Sequence, residues 1–107
     1  MRSDSAVDAL IRFALEADSE SLPLPDESIQ AATNCMVDYF AVTLAGSAEP
    51  AAKALENYAA RPQGSASIIG RGVRTSPEMA AFVNGSTGHL LDFDDVKKNL
   101  GHGTVVI

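Results

Sequence analysis

Thr75-Ser76-Pro77-Glu78-Met79-Ala80-Ala81-Phe82-Val83-Asn84-Gly85-Ser86-Thr87-Gly88-His89-Leu90-Leu91-Asp92-Phe93-Asp94-Asp95 is the stretch on which the reading of this chain turns. Its opening is a helix start. Ser76 is a favoured N-cap, Pro77 suits a first helical position that needs no N–H, and Glu78 sits at the positive end of the helix dipole. A helix from Pro77 to about Leu91 follows. Glycine inside a helix costs about 1 kcal/mol relative to alanine, so Gly85 and Gly88 need a reason. Helical spacing places Gly85, Gly88, His89 and Asp92 on one face. Such a face admits close approach by another helix or by a ligand.

The end of this stretch carries the chemistry. Asp92, Asp94 and Asp95 fall within four residues, and carboxylates so close repel one another and raise at least one pKa when desolvated. A cluster of this type serves proton transfer or holds a cation. His89 precedes Asp92 by one helical turn, within hydrogen-bond reach. His102 follows ten residues after Asp92, in a Gly101-His102-Gly103 setting whose backbone can swing the imidazole towards the carboxylates. The chain has two histidines in all, and both lie beside the acidic cluster, which suggests a general acid/base site. A plainer reading stands beside it. Asp94 and Asp95 can be solvated residues at a helix exit, paired with Lys97 and Lys98, and His89 can be a packing histidine. Spacing alone names no reaction.

Outward from this stretch the chain is mainly helical. Val7, Leu10, Ile11 and Ala14 repeat at i, i+3, i+4, i+7, which predicts a helix from about Ser5 to Ala17 capped by Asp4 or Ser5. Leu22-Pro23-Leu24-Pro25 interrupts it, since proline removes a donor and restricts its predecessor. A second helix runs from an N-cap near Asp26 to about Ala45, with Gly46 as the stop. Its stripe is Ile29, Ala32, Met36, Phe40 and Leu44. Cys35, Val37, Tyr39 and Val42 spread apolar character around the cylinder, which predicts burial on more than one side. A third helix spans roughly Pro50 to Ala60. Between it and the fourth, residues 65–74 predict a short β-hairpin or an extended excursion, with Gly70 and Gly72 supplying the turn.

A chain of 107 residues is one domain at most. Its net charge of −6 argues against nucleic acid, which rewards clustered Lys and Arg. No run approaches the ~20 apolar residues that cross a bilayer. A lone cysteine, Cys35, excludes an internal disulfide framework. With no secretory or transit signature at the N-terminus, the expected compartment is the cytoplasm. The apolar ending Thr104-Val105-Val106-Ile107 reads as a stub that further chain would cover.

The stretch SIIGRGVRTSPEMAAFVNGSTGHLLDFDD, from Ser67 to Asp95, followed by GHGTVVI, resembles the MmgE/PrpD family, which includes 2-methylcitrate dehydratase and cis-aconitate decarboxylase. The shared features are the Ala-Ala-x-x-Asn-Gly helix, a histidine, an Asp-[Phe/Tyr]-Asp-Asp signature and a further histidine. The earlier VDYFAVTLAGS also looks like the family's first long helix. The resemblance implies a cofactor-independent lyase without a metal, built as a homodimer of two-domain subunits. Residues 1–107 would be an incomplete N-terminal part of the large all-helical domain, with the smaller α/β domain absent. It also implies Asp92 and His102 as catalytic residues, with His89, Asp94 and Asp95 as substrate contacts for a small di- or tricarboxylate. Two positions depart from the family pattern. Val96 replaces a threonine of the decarboxylase branch, and Gly103 follows His102 where proline is usual, so the particular substrate stays open.

Three other readings compete. Leu90-Leu91-Asp92-Phe93-Asp94 imitates the apolar-Asp-x-Asp motif of haloacid-dehalogenase-type phosphatases, but that motif needs a strand leading into its first aspartate. A prenyl-diphosphate magnesium site wants Asp-Asp-x-x-Asp, and Lys98 occupies the last position. The remaining reading is a helical interaction module without catalysis.

Overall fold

The computed structural model describes residues 5–17, 23–59, 63–98 and 101–103. Asp4, Leu22, Ala60 and Thr104-Val105-Val106-Ile107, all invoked above, lie outside them. The chain divides into two compact units, residues 1–32 and 33–107, with the boundary inside a helix.

In the first unit, helix α1 spans Ala6–Glu16. Ser5 is its cap. The Ser5 hydroxyl accepts the Asp8 N–H at 3.2 Å, and the Asp8 carboxylate accepts the Ser5 N–H at 3.0 Å, closing a reciprocal capping box. The expected apolar stripe is present, and Val7, Leu10 and Ile11 are exposed. Helix α2 spans Asp26–Gly46 and starts one residue earlier than expected. The Pro25 carbonyl accepts from Ser28 and Ile29, so Asp26 joins the first turn, beside the dipole's positive end.

The second unit begins within α2 and continues through α3 (Pro50–Ala59), a hairpin of β1 (Ala66–Ser67) and β2 (Arg74–Thr75), α4 (Pro77–His89), and a second hairpin of β3 (Val96–Lys97) and β4 (Gly101–His102). Both hairpins are antiparallel, with Ala66 opposite Thr75 and Val96 opposite His102. The excursion at 65–74 is therefore a hairpin. Its turn uses Gly70 at φ 73° and closes with the Ile68 N–H on the Val73 carbonyl at 2.9 Å.

The core lies where α3, the first hairpin and α4 meet. Ala59, Ile68 and Val83 are buried there, flanked by Leu55, Val73 and Met79. Polar bonds tie the three elements together. The Thr75 hydroxyl donates to the Ala59 carbonyl at 2.7 Å. Asn84 on α4 accepts from the Ile69 N–H at 2.9 Å and donates to the Ser67 carbonyl at 3.0 Å, so one side chain satisfies two hairpin groups. Arg71 at the turn pairs with the buried Glu56 of α3 and donates to the Ser47 carbonyl at 3.0 Å.

Helices α2 and α4 cross on glycines. A side chain at Gly46 would strike the Thr87 carbonyl, and one at Gly88 would come within 3.0 Å of the Thr43 hydroxyl and 3.2 Å of the Tyr39 ring. The close approach expected of Gly88 is made by another helix. The burial expected of α2 is not found on several sides: Val42, Thr43 and Gly46 are buried, whereas Val37, Phe40 and Leu44 are exposed. Polar Asn34 and Asp38 interrupt the apolar character of the same helix.

Candidate functional site

Helix α4 ends sooner than its apolar pattern predicts. The cap at Ser76 forms as expected, with its hydroxyl accepting the Met79 N–H at 3.4 Å and Pro77 in the first turn. At the other end the helix stops at His89, and the chain turns through Leu90 and Leu91. Asp92 then takes φ 53°, the left-handed region that few non-glycine residues occupy. No helix continues through such a residue. This overturns the expected one-turn pairing of His89 with Asp92.

The turn delivers a different set of partners. His89 Nδ1 meets Asp94 Oδ1 at 2.9 Å. His102, carried on β4 opposite Val96, brings its Nδ1 to 2.9 Å from Asp94 Oδ2 and its Nε2 to 3.6 Å from Asp92 Oδ1. The two imidazoles meet edge to face with ring centres 4.5 Å apart. Four of the five residues singled out from the sequence thus form one group, with donor atoms all within 4.8 Å of one another. That spacing could enclose a divalent cation. Both Nδ1 atoms, however, already face the same carboxylate, the arrangement of a proton-handling network.

Exposure sorts the members. The Asp94 side chain is 0% exposed, His102 is mostly covered, His89 is half exposed, and Asp92 is 78% exposed. Asp94, expected among the substrate contacts, lies shut away from solvent with an imidazole at each oxygen. Burial pushes its carboxyl up, but the hydrogen bond from His89, its own backbone N–H and the charges of both imidazoles outweigh this, and its pKa lies below the usual range. His89 moves the other way. Its hydrogen bond to Asp94, and then the Asp94 charge, hold its pKa above the ordinary imidazole value.

Asp95 stands apart from this group. With Asn34, Cys35, Asp38 and Phe93 it lines an open pocket of about 280 Å³ that shares no residue with the histidine–aspartate cluster. Its described lining combines two carboxylates, Asp38 and Asp95, with the Asn34 amide, the Cys35 thiol and the Phe93 ring.

Sequence reasoning missed the second hairpin, which carries His102 into place, and the structural use of Asn84. The Asn-x-Gly at Asn99-Leu100-Gly101 was the available turn signal for the first. The phosphatase reading fails here, because residues up to His89 are helical where it needs a strand.

No solved structure matches the chain. A cis-aconitate decarboxylase-like protein, oryM, of Aspergillus oryzae (strain ATCC 42149 / RIB 40) is 37% identical over 76 residues, 67% of this chain. The chain spans about 15% of that relative's length. The sequence profile of the MmgE/PrpD N-terminal domain matches residues 8–107. With the helical architecture and the Asp92-to-His102 element in place, the chain belongs to the MmgE/PrpD family.

Proposed function

We propose that this chain forms part of the helical domain of a cofactor-independent lyase that dehydrates a small di- or tricarboxylate, as a 2-methylcitrate dehydratase does. The observation that carries the reading is the approach of His102 Nε2 to the exposed Asp92 carboxylate, beside a second imidazole, in a member of this family. In such a dehydration, neutral His102 removes a proton from the carbon next to a substrate carboxylate at Nε2. The electrons of that C–H bond form the carbon–carbon double bond as the C–O bond breaks. His89, whose protonated form Asp94 favours, gives the departing hydroxyl the proton with which it leaves as water. Asp92 stabilises the imidazolium formed at His102.

The cations that would hold substrate carboxylates, the rest of the helical domain and the α/β domain belong to the longer protein this reading requires. That protein would be a cytoplasmic homodimer. Among the described residues no helix is long and apolar enough to cross a membrane. Decarboxylation is the second reading, supported by the description of the Aspergillus relative, with Val96 in place of the decarboxylase branch's threonine set against it.

The test is turnover of 2-methylcitrate, citrate and cis-aconitate by the longer protein, with Asp92→Asn and His102→Ala beside it. Loss of general acid/base function is expected to lower kcat by about 10²–10⁴-fold in His102→Ala. Full activity in both variants, with folding intact, would remove this cluster from the chemistry. The 107-residue chain alone is expected to show no turnover, because an incomplete site cannot preorganise a transition state.

A further inference from the structure

The elimination above assigns no contact with substrate to Asp94, although Asp94 is the most buried member of the cluster. We infer that Asp94 is a positioning residue that fixes the tautomer and facing of both imidazoles, so that His89 and His102 each present Nε2 as the working nitrogen. The inference deepens the lyase reading and rests on it for what the imidazoles are used for.

A neutral imidazole has one N–H, and a carboxylate can only accept. A ring whose Nδ1 faces a buried carboxylate is therefore held with the proton on Nδ1 and a free lone pair on Nε2, as carboxylates do for histidines elsewhere. Asp94 turns one oxygen to each ring: Oδ1 lies 2.9 Å from His89 Nδ1 and Oδ2 lies 2.9 Å from His102 Nδ1. Neither ring competes for the other's oxygen. Asp92 approaches the opposite nitrogen of His102, Nε2, from solvent. The buried aspartate therefore orients the ring while the exposed one faces the reacting side.

The two contacts differ in quality. The His89 contact is a hydrogen bond. The His102 contact has the distance of one but not the alignment, and both Asp94 Oδ2 and His102 Nδ1 are closed off from solvent without a hydrogen bond among the described residues. Leaving buried polar atoms unpaired is unfavourable, because each forfeits the hydrogen bonds that it made to water. A turn of the His102 ring aligns the pair. His102 sits between Gly101, at φ 86°, and Gly103, two residues that restrict the backbone little. Asp94 thus holds His89 already and provides a seat for His102.

The deciding measurement is a long-range ¹H–¹⁵N correlation spectrum of the imidazoles in the 107-residue chain, at a pH where both rings are neutral. Both histidines are expected as the Nδ1–H form, against the Nε2–H form that free histidine prefers. In Asp94→Asn, whose side-chain amide can donate as well as accept, at least one ring is expected to switch to Nε2–H, whereas Asp92→Asn leaves both unchanged. An Nε2–H His102 in the unsubstituted chain overturns the inference without any variant having to fold. So does a folded Asp94→Asn with both tautomers unchanged. The spectrum is independent of turnover: the expected tautomers in a protein that dehydrates nothing would support the positioning role and sink the lyase reading. Turnover with the wrong tautomers would do the reverse.

Discussion

The two hairpins of the second unit are the same size and are held by different physics. Each pairs two residues with two. The first, β1–β2, is fastened by apolar burial of Ile68 and by hydrogen bonds between its backbone and Asn84. The second, β3–β4, offers exposed Val96 and mostly covered His102, and its link to α4 runs through Asp94. Dispersion and neutral hydrogen bonds change little with pH. A histidine–aspartate linkage changes sharply, so the scaffold and the site should respond to different perturbations.

The largest way to break the first hairpin is Ile68→Ala. Ile68 is almost fully buried, and truncation of such a residue costs about 2–5 kcal/mol. Denaturant unfolding should show a lower midpoint with an unchanged slope. Gly46→Ala should come next, at about 1–3 kcal/mol, because the added carbon meets the Thr87 backbone rather than a movable side chain. Thermal denaturation of the substituted chain checks it, and a stability equal to that of the parent would show that the helices can part freely.

Asn84→Ala should follow, at roughly 1–2 kcal/mol, by leaving the Ile69 N–H and the Ser67 carbonyl unpaired. Hydrogen exchange at Ile69 should quicken. Exchange in the second hairpin should stay as it was, and equal acceleration in both would erase the distinction drawn between them.

The smallest effects separate the hairpins by pH. Glu56, which anchors the turn of the first through Arg71, has its pKa lowered by the Lys53 hydrogen bond and then by that from Arg71. A depressed carboxyl contributes stability above its unfolded pKa and loses it as pH falls through the folded one, so this anchor weakens on the acid side alone. The second hairpin's link is bounded on both sides. Asp94, also depressed, loses its contribution in acid. His89, raised, contributes fully below its unfolded pKa and loses that contribution as pH rises through the folded one. Solvent screening of half-exposed His89 keeps the alkaline loss small. Chemical shifts followed from acid to mildly alkaline pH should move at both extremes for residue 96, and only in acid for residues 70–72.

Much of this fold was legible in the sequence because its signals are local. Ser76-Pro77-Glu78 marks the start of α4, Gly70 and Gly72 mark the first turn, and the mainly helical class follows from the apolar periodicities. The proximity of four of the five singled-out residues was legible too: Asp92, Asp94, His89 and His102 come together, and Asp95 does not join them. Their pairing was not, because it depends on Asp92 leaving the helical region of backbone space, and the apolar Leu90-Leu91 continues the helical pattern past the end of α4 at His89. Asn84 was hidden for a related reason. Its partners lie 15 and 17 residues away, across a hairpin that must form first.

The left-handed backbone at Asp92 sets stability and chemistry against each other at one codon. Glycine would occupy that conformation with less strain. A library of this chain sorted only for thermal resistance should therefore drift towards glycine at position 92 and discard its carboxylate. On the proposed lyase reading, sorting for turnover should instead hold the aspartate there and tolerate the softer turn.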